Sequence, residues 1–273
     1  MRGLSISAAW EETRNILARD GRLLTTVALA LIALPTTVNT LLNPSGVAAA
    51  NTPLWMDCVA VVAYLIALAG QLSLIRLAIG PSITVGGAIA HGTRRLPVYV
   101  AAVLLVVLVL LILLVIISLV LAALGVRVDR QVTAQMSPPS VIAGLVFLGA
   151  FIFLFVRMVL SAPVASAEHA GPIAILKRSW RLTEGHWWQL FGFLLIFFIG
   201  AAIVTIAIGS AAGVVILYFG KAQPMSAPAL VLALINALVS AAITTLFAVM
   251  LARIYLQLAN RPGVQPSVPN SGI

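Results

Sequence analysis

Long apolar runs alternate along the chain with short polar segments. Six runs are long enough to cross a bilayer: Leu23–Leu42, 54–79, 97–124, 140–160, 190–217 and 229–256. About 20 consecutive apolar residues suffice for a helical span. Pro35 predicts a kink in the first span. The third run is the most apolar and reads as a lipid-facing helix, with Tyr99 and Ser118 its sole polar side chains. Residues 4–20 show a different period. Leu4, Ala8, Ile16 and Leu17 with Trp10 make an apolar stripe, and Glu11, Glu12, Arg14, Asn15, Arg19 and Asp20 supply a polar side. That spacing predicts a short amphipathic helix lying in the membrane interface.

The connectors divide into two kinds. Residues 82–95 (SITVGGAIAHGTRR) and 161–191 are polar and basic. On the other side, Asn43-Pro44-Ser45-Gly46 marks a turn, Gly125–Pro139 a polar loop, and Lys221, Pro224 and Pro228 a further turn. The proline-rich tail, 261–273, predicts disorder. The expectation is one all-α, polytopic membrane domain over residues 1–260.

The arrangement repeats. Arg76, Arg157 and Arg253 each follow an apolar run, in SLIRLAI, LFVRMVL and MLARIYL. Gly21, Gly92 and Gly185 each follow an acidic residue or a histidine and precede a span. Three units follow, about 4–80, 82–160 and 165–258, each an interfacial helix plus a hairpin of two spans. The glycines would turn the chain from lying on the membrane to crossing it. The arginines would snorkel to the interface. The units could wrap around a pseudo-threefold axis or pack side by side.

Composition supports lipid as the main solvent. The chain is 62% apolar and only 8% charged, against about 25% charged in soluble domains. The net charge of +9 arises from seven acids against sixteen bases, so it reflects scarce acids rather than abundant bases. It therefore points to topology and anionic headgroups rather than nucleic acid. Thirteen of the sixteen Lys and Arg lie in the N-terminal segment, the two basic connectors or the final helix end and tail; Arg127, Arg130 and Lys221 lie opposite. The positive-inside rule places both termini and both basic connectors in the cytoplasm. The N-terminus lacks the pattern of a cleaved signal peptide and reads as retained.

The densest polar group is Arg157, Glu168, Lys177, Arg178 and Arg181. Arg157, Lys177, Arg178 and Arg181 form a candidate lipid-headgroup or phosphate site, because guanidinium groups bind phosphate bidentately. The structural alternative is a topology anchor, with Glu168 neutralising Arg157 where an unpaired charge is costly. Arg76 and Arg253 read as anchors of the same kind. Trp180, Trp187 and Trp188 read as headgroup-level anchors. Asp57 and Asn236 are polar groups at or inside span boundaries. The lone cysteine, Cys58, forms no intrachain disulfide. His91, His169 and His186 are scattered through the connectors, and no metal-site or cofactor pattern is present. No nucleophile elbow, phosphate-binding loop or dinucleotide fingerprint occurs.

Arg157, Leu160, Pro163, Glu168, Pro172, Ala174, Arg178-Ser179-Trp180, Leu182-Thr183, Gly185, Trp188 and Leu190-Phe191-Gly192 make a pattern. It resembles the bacterial glycerophosphoryl diester phosphodiesterase membrane-domain family. The N-terminal SISAAWEETRNILARDGRLLT is similar to the YciC-like inner-membrane family. The resemblance covers most of the chain, most specifically 157–192. It implies a multi-span fold in a bacterial inner membrane. The catalytic domain that accompanies this region in some members has no counterpart here, so its activity does not carry over.

The favoured expectation is a membrane-organising or envelope-related protein that engages anionic lipids or a membrane partner, a second copy among them. A transporter or lipid-handling protein with a cavity near residues 157–191 is the alternative. An interfacial enzyme comes last.

Overall fold

A computed structural model describes residues 5–42, 53–80, 84–123, 138–219 and 226–260. The expected turn at Asn43–Gly46, most of the Gly125–Pro139 loop, Lys221 with Pro224, and the tail lie outside the described residues.

The described chain is all-α. In order it forms α1 (Ile6–Ala28), a π-helical turn (Leu29–Ala33), α2 (Leu34–Leu42), α3 (Leu54–Ile79), α4 (Val85–Ala123) and α5 (Pro138–Met158). There follow α6 (Ser161–Ala167), α7 (Pro172–Thr183), α8 (Trp187–Phe219) and α9 (Ala227–Ala259). Among the described residues, six continuous helical stretches are long and apolar enough to cross a membrane, and the protein is a multi-pass membrane protein.

The first stretch runs without a break from Ile6 to Leu42. The expected boundary between an interfacial helix and a span, at Gly21, is therefore absent. Ser5 caps the helix by accepting from the Ala8 N–H, 3.3 Å. The π-turn falls just before the buried Pro35. Proline carries no N–H for a carbonyl one turn back, and a wider turn is a common way to absorb that mismatch. The helical stretch continues through it.

The second expected turn, at Gly92, is also absent: α4 is helical from Val85. Gly92 serves packing instead. A Cβ there would collide with the Ser73 hydroxyl and lie 2.7 Å from the Ala69 carbonyl oxygen. The missing side chain lets α4 close onto α3. Gly70 does the same for α3 against the π-turn, where a Cβ would lie 2.7 Å from that of Leu31. Of the three glycines, Gly185 alone lies in a turn between helices. Its φ of +77° lies in the left-handed region, and it joins α7 to α8. Among the described residues, a separate connector helix thus occurs only in the third of the three expected units.

The core is densest at the end where α1, α4 and α8 begin and α3, α5 and α9 finish. α9 packs along α1, α2 and α3 more extensively than against its sequence neighbour α8. Leu72, Leu74 and Ile75 of α3, Leu160 beside α6, and Leu251 and Ile254 of α9 are fully buried there. The outer faces of α4, α5 and α8 instead carry exposed Leu, Ile, Val and Phe, which is the pattern of a surface solvated by lipid.

Candidate functional site

The short helix α6 organises the polar end. All six residues from Ser161 to Ser166 are buried. They are small or apolar, so a whole helical turn fits among α3, α4, α7 and α9. Ser166 ties it in place. Its hydroxyl donates to the Leu72 carbonyl of α3, 3.0 Å. Its own carbonyl is 2.8 Å from His91 Nε2 of α4. Buried polar groups need such partners, because an unmatched one costs the full desolvation penalty.

Glu168 ends α6. Its carboxylate Oε1 accepts from Arg178 Nε of α7 and from the Tyr255 hydroxyl of α9, each at 2.9 Å. The Arg178 side chain is 11% exposed and that of Glu168 is 23% exposed, so the pair sits in reduced dielectric and each charge needs the other. The expected pairing of Glu168 with Arg157 is thereby corrected. The turn between α6 and α7 brings residue 178 to the carboxylate.

Arg157 goes elsewhere. Its guanidinium lies over the Trp180 ring, 4.7 Å from the centroid, and 5.4 Å from that of Phe153. Its Nη1 donates to the Trp180 carbonyl at 3.4 Å. Its own carbonyl accepts from the Ser179 hydroxyl, 2.8 Å, which fastens α7 onto the end of α5. Its Nε is buried and has no hydrogen-bond partner among the described residues.

α7 has two faces. Ile175, Ser179, Leu182 and Thr183 are buried, while Lys177 and Arg181, one turn apart, are exposed. Together with Met158, Leu176 and Trp180 they line an open groove of about 350 Å³. Among the described residues no carboxylate lies within salt-bridge distance of Lys177, Arg181 or Arg157. The structure therefore brings Arg157, Lys177 and Arg181 around Trp180 and turns Arg178 inward.

The aromatic residues form one cluster. Phe153 meets Trp180 edge-on at 5.8 Å and stacks on Trp187 at 6.1 Å, and Trp187 stacks on Phe191 at 5.1 Å. Trp188 is 77% exposed on the outer surface. Arg253 has other partners. It donates from Nη2 to the Ala78 carbonyl and has Nη1 3.9 Å from Glu12. It caps the C-terminal end of α3, where free carbonyls and the helix dipole favour a cation. Arg76 lies in the last turn of the same helix.

Residues 4–258 match the domain of unknown function DUF7847. The chain belongs to this family. Neither a curated protein nor a solved structure matches it. In this DUF7847 chain several residues of the polar end carry little sequence signal. Tyr255 stands two residues after Arg253 and reads as one more apolar-run residue. His91 reads as connector polarity. Ser166 is one serine in a run of small residues. Among the described residues no three metal-ligating side chains come together.

Proposed function

We propose that this protein is a non-catalytic, membrane-organising component that holds anionic lipid headgroups at the outer face of α7. One observation carries the reading: three cations, Arg157, Lys177 and Arg181, lie around the half-exposed Trp180, and among the described residues no carboxylate pairs with them. The neighbouring Arg178 is fully engaged within the protein, so the outward charge is selective. Arg157 held over an aromatic face offers a preoriented fork, and Lys177 and Arg181 add adaptable charge. An indole at the same level suits the headgroup zone.

In the sequence, thirteen of the sixteen basic residues fall in segments that belong to or adjoin the polar end. We infer that it faces the cytoplasm, with both termini on that side and the spans in a bacterial inner membrane. The resemblance of 157–192 to the phosphodiesterase membrane-domain family is consistent with that setting and brings no catalytic group. Of the side chains that the transport alternative needs facing a cavity, Arg157, Arg178 and Glu168, the last two are bonded to each other, and Glu168 also accepts from Tyr255.

Native mass spectrometry in mixed phosphatidylglycerol and phosphatidylcholine tests the reading. Wild type retains phosphatidylglycerol preferentially. Lys177→Ala/Arg181→Ala loses the preference while keeping its thermal midpoint. An unchanged preference in the double variant contradicts the proposal.

A further inference from the structure

A second basic group gathers where α3, α4 and α6 meet. Ser166 marks the place: its hydroxyl reaches the Leu72 carbonyl of α3, and its own carbonyl lies against His91 of α4. Gly92 packs on Ser73 beside it. Arg76 follows Leu72 by one helical turn, Arg95 follows His91 by one turn, and His169 follows Ser166 by three residues. α3 ends and α4 begins at the polar end, so the two helices run in opposite directions. Side chains lean toward the N-terminus of their own helix. Arg76 therefore leans back from the polar end and Arg95 leans toward it, and both come within electrostatic reach of His91. The His169 ring stands edge-on to that of His91, 6.3 Å between centroids.

We propose that Arg76, His91, Arg95 and His169 form a second anion site, one that takes a phosphate monoester or free phosphate. The charge of the group is unbalanced. Among the described residues no carboxylate lies within salt-bridge distance of any of the four. Glu168, next to His169 in the chain, is taken up by Arg178 and Tyr255. Arg95 Nη2 is buried and has no hydrogen-bond partner among the described residues. A buried donor of this kind gains most from an acceptor oxygen brought to it. The Ser166 carbonyl can only accept, so His91 Nε2 donates there. Its Nδ1 is then the atom left for the ligand, accepting from a phosphate hydroxyl or, once protonated, donating to a phosphate oxygen. Guanidinium forks grip two oxygens of one phosphate. Donors converging from separate helices suit a terminal phosphate, with its three free oxygens, better than the phosphodiester of phosphatidylglycerol. His169 is exposed, so the group opens at the surface of the polar end. The site shares no side chain with the α7 groove, and its ligand class differs.

The test uses the full-length protein with ¹⁵N-labelled histidine in phosphatidylcholine nanodiscs, read by NMR of the imidazole rings. One arm titrates inorganic phosphate at fixed pH and ionic strength, with chloride as the control. The other adds phosphatidic acid to the nanodiscs. The His91 and His169 signals shift saturably, and that of His186 does not. Saturation by inorganic phosphate identifies a free anion as ligand, and saturation by phosphatidic acid alone identifies a lipid headgroup. Arg95→Gln weakens binding about tenfold or more, the worth of one charge-assisted bond. His169→Gln, a change at an exposed position, weakens it several-fold on the His91 signal and serves if Arg95→Gln fails to fold. Lys177→Ala/Arg181→Ala leaves the shifts as in wild type, so this site and the α7 reading fail separately. No saturable shift in either arm, an equal shift with chloride, or an affinity unchanged by both Arg95→Gln and His169→Gln overturns the proposal.

Discussion

Tyr255 and Glu168 are 87 residues apart in the chain, and their side chains meet at 2.9 Å. The contact joins the end of the last span to the connector between the fourth and fifth, with Arg178 on the same carboxylate oxygen. Removing either partner leaves Glu168 undercompensated. Tyr255→Phe loses one hydrogen bond to a charged group, about 1.5–3 kcal/mol, and lowers the thermal midpoint in detergent. Arg178→Ala lowers it further, since a partly buried carboxylate then lacks its counter-ion. In a double-mutant cycle Tyr255→Phe/Arg178→Ala costs less than the two single losses added together. Strict additivity would mean that the three groups do not act as one unit.

The three echoing glycines respond differently to alanine. Gly92→Ala drives a methyl into Ser73 and the Ala69 carbonyl and destabilises by about 1–3 kcal/mol, the scale of overpacking. Gly185→Ala forces an L-residue to a φ of +77° and costs about 1–2 kcal/mol. Gly21→Ala meets open space inside a helix and stabilises by up to about 1 kcal/mol. Thermal midpoints of the three single variants check the order. Equal losses at all three would restore the expectation that each glycine makes the same turn.

That contrast shows what could be read from residue order. The six spans were legible because each is an apolar run bounded by polar or proline-bearing residues. Helix boundaries were less so. Thr93, Arg94 and Arg95 look like a connector, yet they are helical, because Gly92 lets their helix lie against α3. α6 was hidden for another reason: Ser161–Ala167 reads as the start of the polar connector after the fourth span, and only its small residues' buried surroundings make it a separate inner helix. Within the candidate site, the cations were legible as a cluster. Their division into inward Arg178 and outward Lys177 and Arg181 follows from the helical phase of α7, and the choice of Arg178 as partner for Glu168 follows from the turn at 168–171. Neither is encoded in spacing alone.

Ser166 tests how far α6 acts as the central tie. Ser166→Ala leaves the Leu72 carbonyl without its side-chain donor and costs about 1 kcal/mol, while the bond from His91 to the Ser166 backbone carbonyl persists. Ser166→Leu must place a large side chain at a position of 0% exposure and destabilises by about 1–3 kcal/mol or more. Protein yield and thermal midpoint report both. A Leu variant as stable as wild type would show that α6 is loosely held.

Arg253 caps α3 through the Ala78 carbonyl. Arg253→Met keeps much of the apolar stem and removes the cation, so it isolates the cap. It costs about 1–2 kcal/mol and increases hydrogen exchange at the end of α3. Glu12→Gln, at 3.9 Å and about half exposed, changes stability by less than about 1 kcal/mol.

The most direct test of the headgroup reading keeps net charge constant and moves its location. Lys177→Glu/Arg181→Glu and Arg14→Glu/Arg94→Glu alter total charge equally, and all four positions are exposed. Phosphatidylglycerol retention is measured on both by native mass spectrometry. A local site predicts that only the α7 variant loses its preference over phosphatidylcholine. Equal loss in both variants, or none in either, would contradict a headgroup site at Arg157, Lys177 and Arg181.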